Sequence, residues 1–262
     1  MTDSWAISSE AEQVLQEAAS EAYRREHPTV EIAHVILMMT MHGSSIELME
    51  MLGGKPKKLR DELDRYLDDR PRAVTKQLDY EPALTKALQR SHSHRVTSKL
   101  AEITIDNLLA AILAEKSSFA VAALARHGVT RLALTSYLSH GTQASSRDLP
   151  EARIVTRREP WGLSKLWKRP PLERCQIIMH NDSFTTYEFV VDVLMSVFNY
   201  DREDAVALTR EIHDVGYGAV GDYTADKAAV LVAEVSRRAR RNEFPLAVSL
   251  VPFGAAGTGV AR

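Results

Sequence analysis

Two domains of different class are predicted: an all-α domain of about eight helices, then a small α+β domain with an antiparallel sheet and helices on one face. Three observations carry this. Residues 8–140 contain an internal duplication. Their apolar residues recur at helical spacing almost throughout. Beyond residue 172 strand-like and helix-like stretches alternate, after an intervening segment of prolines and small polar residues.

The duplication pairs Val14-Leu15-Gln16-Glu17-Ala18 with Ala87-Leu88-Gln89-Arg90-Ser91, 73 positions on. Thr29-Val30-Glu31 pairs with Thr104-Ile105-Asp106 at 75, which places a two-residue insertion ahead of Thr104. Tyr66-Leu67 answers Tyr137-Leu138. A repeat of this length is one supersecondary unit copied, each copy burying its apolar face on the other. Within the first copy, Ser9 with Glu12 three residues on is a capping-box pattern ahead of Val14, Leu15, Ala18, Ala19 and Ala22. Thr29 is the expected cap of a second helix through Val35–Met39. Ile46, Leu48, Met49 and Leu52 form a third, stopped at Gly53-Gly54. Leu59, Leu63, Tyr66 and Leu67 form a fourth. In the second copy Thr104 caps Leu108, Leu109, Ile112 and Leu113. Val121, Leu124 and Ala125 precede His127-Gly128, and Leu132 to Leu138 close the unit.

In the second half, 174–180 reads as a strand and Asn181-Asp182 as a turn. Thr185 is the expected cap of a helix through Phe198, with Glu188 at the capping-box position. Asp201 with Asp204 opens a second helix to His213. Gly216, Gly218 and Gly221 break it around a strand near 218–223. Thr224 opens a last helix to Arg241, and 245–250 reads as a closing strand. The expected boundaries are an N domain over 1–142, with copies at 8–70 and 80–140, a linker over 143–171, a core over 172–252 and a flexible tail over 253–262.

Composition narrows the function classes. Of 262 residues, Lys plus Arg number 33 and Asp plus Glu 35, a net charge of -2. Nucleic acid is therefore not the expected partner, since phosphate binding calls for a basic excess. Net charge runs -2 over 1–140, +4 over 141–180 and -4 over 181–262. The longest uncharged apolar run, 35–41, is far short of the roughly 20 residues of a membrane span, so no membrane partner is expected. Asp3, Glu10 and Glu12 without a basic residue argue against a cleaved leader. Cys175 is alone, which suits a reducing cytoplasm.

Two resemblances follow. Thr29-Val30-Glu31 opening an apolar helix, the Thr104 helix, and His127-Gly128-Val129-Thr130-Arg131-Leu132 with Tyr137-Leu138-Ser139-His140-Gly141-Thr142 resemble the double Clp repeat. That is the N-terminal domain of ClpA-type AAA+ unfoldases, which implies docking of adaptors and substrates and no catalysis. The second half resembles ClpS, the N-degron adaptor of the Clp protease. The residues carrying this are Asn181-Asp182, Thr185, Glu188–Leu194, Asn199-Tyr200-Asp201, His213, Gly216, Gly221, Tyr223-Thr224-Ala225 and Asn242–Leu246.

The ClpS resemblance implies a site for a first residue such as Leu, Phe, Tyr or Trp. Asn181 and His213 match the family positions that bind the free α-amine, with Asp182 adding charge. Met179, Ser183, Thr185, Tyr187, Val190, Thr209, Ile212 and Leu246 would wall an apolar pocket. Asp226 matches an acidic position used for docking the unfoldase. Tyr187 stands where methionine is usual, Thr209 where a larger apolar residue is common, Ser183 for a frequent acid, and Leu231 where a bacterial relative carries lysine. The smaller Thr209 opposite the Tyr187 ring leads to an expected preference for Phe over Leu.

Catalytic chemistry is not expected. There is no G-x-x-x-x-G-K-[ST], H-E-x-x-H or G-x-S-x-G, and Cys175 lies in an apolar strand pattern. His92 and His94, two apart, point to different faces of a helix, so neither a metal nor a cofactor is expected. The methionines at 38, 39, 41, 49 and 51 read mainly as core, with an adaptable binding surface as the alternative. The expected role is a non-enzymatic adaptor, whose partners are N-degron substrates and a ClpA- or ClpC-like unfoldase, with docking of one domain on the other as a further option. The alternatives are an autoinhibited or decoy docking module that titrates Clp adaptors or unfoldases without degron binding and, remotely, a hydrolase with an unrecognised site. Each domain has its own apolar periodicity and the linker has none. Limited proteolysis should therefore cut first between 143 and 170; early cleavage inside 30–60 or 185–240 would contradict independent domains.

Overall fold

A computed structural model describes residues 5–73, 78–141, 153–154 and 174–252. The chain divides into two compact units, 1–145 and 146–262. Most of the expected linker and all of the expected tail lie outside the described residues.

The first unit holds eight helices among its described residues: α1 (Ser9–Arg24), α2 (Ile32–Met39), α3 (Gly43–Met51), α4 (Pro56–Asp68), α5 (Pro82–Thr97), α6 (Ile105–Ile112), α7 (Phe119–Arg126) and α8 (Arg131–His140). Two short strands, β1 (Thr29–Val30) and β2 (Asp79–Tyr80), pair in parallel and join the two copies. The starts of α1 and α5 lie 73 residues apart, as do those of α2 and α6; those of α4 and α8 lie 75 apart. The two extra residues therefore follow the central helix of the second copy and do not precede Thr104. The expectation failed because Thr29 is not the counterpart of Thr104: it belongs to β1, and Glu31 holds the N-cap position of α2. Ser8, not Ser9, caps α1, its hydroxyl accepting from the Ala11 N–H at 3.3 Å. Thr104 caps α6 as expected, with Asn107 answering in a full capping box.

Every residue of α2 is buried. A helix apolar on all sides has to be enclosed, and α1, α4 and α7 pack around it. Its orphan N-terminal donors must then be satisfied from inside the protein. The Ile32 N–H donates to the Glu81 carboxylate at 3.1 Å, and the Glu31 N–H donates to His34 Nδ1 at 3.0 Å. With Nδ1 accepting, neutral His34 carries its proton on Nε2 and donates to His27 Nδ1 at 2.9 Å. The Glu31 carboxylate accepts from the Tyr66 hydroxyl at 3.1 Å and from Arg70 at 2.8 Å.

The two copies meet across two further contacts. Gly53 and Gly128 both have positive φ, at 83° and 91°. A Cβ on Gly128 would lie 2.7 Å from the Gly53 carbonyl oxygen, so the backbones touch only because residue 128 is glycine. Tyr66 of the first copy stacks on Phe119 of the second at 4.0 Å. Arg70 covers the outer face of one ring and Arg126 that of the other, each at 5.4 Å. Of the methionines, Met38, Met39 and Met49 are buried, while Met41 and Met51 are exposed.

The second unit has a sheet in the order β3-β6-β4-β5. β4 (Cys175–His180) lies between β5 (Tyr217–Tyr223) and β6 (Val248–Pro252), both antiparallel to it; β3 (Arg153–Ile154) adds a parallel pair at the edge of β6. Cys175, Ile177 and Met179 alternate into the core, as the period of two requires. Helices α9 (Tyr187–Phe198), α10 (Arg202–Val215) and α11 (Ala225–Arg241) complete one hydrophobic cluster with that face. Thr186, not Thr185, caps α9 by accepting from the Phe189 N–H at 3.3 Å. Asp201 caps α10 through the Asp204 N–H at 2.8 Å. Asn199 and Gly216, both left-handed, end α9 and α10.

The His27–His34 pair makes a pH prediction. Burial, the neighbouring His27 and Arg25 lower the His34 pKa from 6.5 to about 4, and burial lowers His27 too. Between these values the unfolded chain takes up a proton that the folded chain refuses. Stability present above pH 6.5 is therefore lost as pH falls toward 4, by up to about 3 kcal/mol. Asn107 occupies the equivalent position of the second copy and holds its cap without a charge. His34→Asn should keep the fold and flatten the fall of melting temperature between pH 6.5 and 4; an unchanged slope would refute this origin.

Candidate functional site

The residues expected to bind an α-amine lie where β4 ends. Asn181 follows the last residue of β4, and its backbone N–H donates to the Gly216 carbonyl at 2.9 Å. Gly216 ends α10, so this bond ties the end of β4 to the helical turn that carries His213. Asn181 and His213 are both exposed. Asp182 is half-buried, and its carboxylate accepts from the Phe184 N–H at 2.8 Å, the Thr185 N–H at 2.7 Å and the Thr185 hydroxyl at 2.6 Å. This Asx turn explains why Thr185 is not the helix cap: its hydroxyl is committed to Asp182, and the cap passes to Thr186.

The expected wall residues divide by burial. Met179, Val190, Thr209, Ile212 and Leu246 are buried, Met179 with no exposed surface at all. Met179 therefore belongs to the hydrophobic core of the second unit. Leu246 precedes Ala247, whose carbonyl accepts from the His180 N–H at 3.0 Å, and so belongs beside the same end of β4. The Thr209 hydroxyl donates back to the Ala205 carbonyl at 2.7 Å, leaving its methyl group for packing. Ser183 and Tyr187 are exposed, and Thr185 is half-buried. The Tyr187 hydroxyl donates to the Val206 carbonyl of α10 at 2.8 Å.

Three contributors escaped the sequence reading. The Gly216 carbonyl acts through the backbone, and Val206 does so through its carbonyl to Tyr187. Gly218 lets α10 approach β5: a Cβ there would lie 2.6 Å from Ile212 Cγ1 and 3.0 Å from Leu208 Cδ1. Its position in a run of glycines was visible, but the close approach that needs it was not. Val215 and Tyr217, exposed on either side of Gly216, add apolar surface beside His213.

Asp226 is exposed in the first turn of α11. β5 runs from Tyr217, opposite His180, to Tyr223, opposite Cys175. Asp226 thus belongs to the far end of that strand, about 20 Å from the Asn181 end by strand rise. Cys175 is buried, and burial raises its thiol pKa, which suppresses the thiolate. Among the described residues no group of three or more His, Cys, Asp or Glu could hold a metal ion, and no single helix is long and apolar enough to cross a membrane.

The described residues thus form a helical repeat domain followed by an α+β domain in one chain. Residues 170–249 match the family described as ATP-dependent Clp protease adaptor protein ClpS, and residues 6–127 match the Clp repeat N-terminal domain. The ClpS adaptor of Myxococcus xanthus is 41% identical over 85 residues, which are 32% of this chain and 78% of that protein. That of Erwinia tasmaniensis is 43% identical over 82 residues, 31% of this chain and 76% of that protein. Among solved structures, Agrobacterium tumefaciens ClpS2 bound to L-phenylalaninamide is 25% identical with a TM-score of 0.30, covering 32% of this chain and 99% of that one. The N-domain of ClpV from Vibrio cholerae is 18% identical with a TM-score of 0.44, covering 51% and 82%. The chain belongs to the ClpS adaptor family and carries a Clp repeat domain fused ahead of the adaptor domain.

Gly218→Ala should force α10 away from β5 and cost about 1–3 kcal/mol, as overpacking does. Chemical denaturation of the full chain measures this, with exposed Ala219→Ser as the control within about 0.5 kcal/mol. An unshifted midpoint for Gly218→Ala would mean that α10 does not need the contact.

Proposed function

We propose that this chain is a non-enzymatic adaptor of a Clp protease that binds proteins through a bulky apolar first residue. The observation that carries the reading is the Asn181–Gly216 backbone bond. It ties the end of β4 to the last turn of α10, so that an exposed amide and an exposed imidazole would stand near the buried residues Val190, Thr209, Ile212 and Leu246. A free α-ammonium has three N–H donors and one charge. Asn181 Oδ1 and a His213 ring nitrogen would accept two of them. The Asp182 carboxylate, already shared among three donors of its own loop, would contribute mainly through charge. The side chain of the first residue would enter between α9 and α10. An acetylated N-terminus would bring one donor and no charge, leaving the acceptors short of partners at a cost of roughly 1–3 kcal/mol.

The partner side of the proposal rests on family membership and on the fused repeat domain. The adaptor domain would present Asp226, remote from the degron site, to a Clp AAA+ unfoldase, so that substrate and motor are held together. The repeat domain adds a second surface of the kind that unfoldases themselves carry. This favours a second reading, in which the chain competes for, or engages within itself, the contacts that adaptors and unfoldases make.

Fluorescence anisotropy with a labelled peptide beginning with Phe tests the degron reading. Binding should be micromolar or tighter with a free amine and lost on acetylation. Asn181→Ala or His213→Ala should weaken it at least tenfold, about 1.4 kcal/mol. Equal affinity for free and acetylated peptides would refute the reading.

A further inference from the structure

We infer that the hydrogen bond between Tyr187 and Val206 limits the length of the first side chain that the cleft accepts. This rests on the degron reading above and assigns a specificity determinant within that site.

Tyr187 is the first residue of α9, and 39% of its surface is exposed. An exposed tyrosine has water available for its hydroxyl. Here the hydroxyl instead crosses to α10 and donates to the Val206 carbonyl at 2.8 Å. That carbonyl lies inside α10, where the helical ladder uses one lone pair, and the phenol takes the second. The ring therefore bridges two helices at a fixed point.

The position of that point along α10 gives the bridge its meaning. Val206, Arg210 and His213 are spaced i, i+4, i+7 and share one stripe of the helix. The seven residues from Val206 to His213 span about 10 Å along the axis. His213, with Asn181 tied to the same end through Gly216, is the polar end of this stretch. The Tyr187–Val206 bridge is the other end. Between them on the buried side lie Thr209 and Ile212, with Val190 one turn beyond Tyr187 on α9. The proposed cleft would thus be about one large side chain long, with acceptors at one end and the hydrogen-bonded ring across the other.

A first residue anchored by its α-ammonium at Asn181 and His213 points its side chain toward the bridge. Leu and Phe end in hydrocarbon and stop short of it. The hydroxyl of a Tyr ligand and the second ring of a Trp ligand extend farther, into the space of the phenol. Seating them requires the Tyr187 hydroxyl to leave Val206. The bridge thereby discriminates by length at no cost to shorter residues, and the small Thr209 below provides width without length.

Free-amine peptides beginning with Leu, Phe, Tyr and Trp, with acetylated Phe peptide as control, are titrated by anisotropy against the wild-type chain and Tyr187→Phe. The variant keeps the ring and removes the bridge. The expected result is a wild type that binds Leu and Phe peptides more tightly than Tyr and Trp peptides. Tyr187→Phe should raise the Trp-to-Leu and Tyr-to-Leu affinity ratios by about three- to tenfold, the worth of one hydrogen bond. Ratios that stay constant, including a uniform gain for all four, overturn the length limit while leaving the degron reading intact. Failure of the wild type and variant to bind any free-amine peptide overturns both.

Discussion

The complete burial of α2 is the constraint on which the first unit depends. Eight consecutive enclosed residues cannot reach water, so the polar groups at the start of the helix that its own capping box leaves over need partners from elsewhere in the fold. Those partners come from both copies of the repeat: His27, Tyr66 and Arg70 from the first, and Glu81 from the second. Burying one helix therefore binds the copies together. The short β1–β2 pair extends the same junction, since it lies immediately before the two residues, Glu31 and Glu81, that serve the α2 terminus.

The copies solve the same problem differently. α6 is capped by Thr104 and Asn107 within its own first turn, a neutral arrangement. α2 uses a titratable residue at the matching position and draws on long-range partners. Duplication supplied two equivalent helices, and the burial of one on every side changed the chemistry of its terminus. Gly53 and Gly128 keep a symmetry in their left-handed backbone that the caps have lost, although only Gly128 is held to glycine by a close contact as well.

In the second unit, backbone groups position the side chains proposed to bind. The Gly216 carbonyl draws Asn181 to the end of α10, Gly218 lets that helix settle on β5, and the Asp182 turn commits Thr185 and hands the cap of α9 to Thr186. The side chains of Asn181 and His213 are left exposed above an apolar interior. The fused repeat domain brings a second Clp-type surface to the same molecule, so the proposed function concerns who docks as well as what is read.

The sequence by itself determined the two domain classes, the eight helices of the first unit, the duplication, the strand–helix order of the second beyond residue 172, and the identity of both families. These follow from apolar periodicity and from ordered motifs, which are local properties of the chain. β3, which lies within the expected linker and pairs in parallel with β6, was not read. Thr104, Asp201 and Thr224 were read as the caps they are, while three other caps were legible only to within a residue or two: Ser8 for Ser9, Glu31 for Thr29 and Thr186 for Thr185. Adjacent hydroxyls and carboxylates compete for one terminus, and the winner depends on what else each can bond. Tertiary structure alone decided that α2 is enclosed on all sides, that two residues are inserted after the second central helix and not before it, and that Tyr187 is tied to Val206. It also gave Gly218 and the Gly216 carbonyl their roles. Each of these is a contact between distant segments, often through the backbone, whose donors and acceptors are the same at every position and so leave no mark in the sequence.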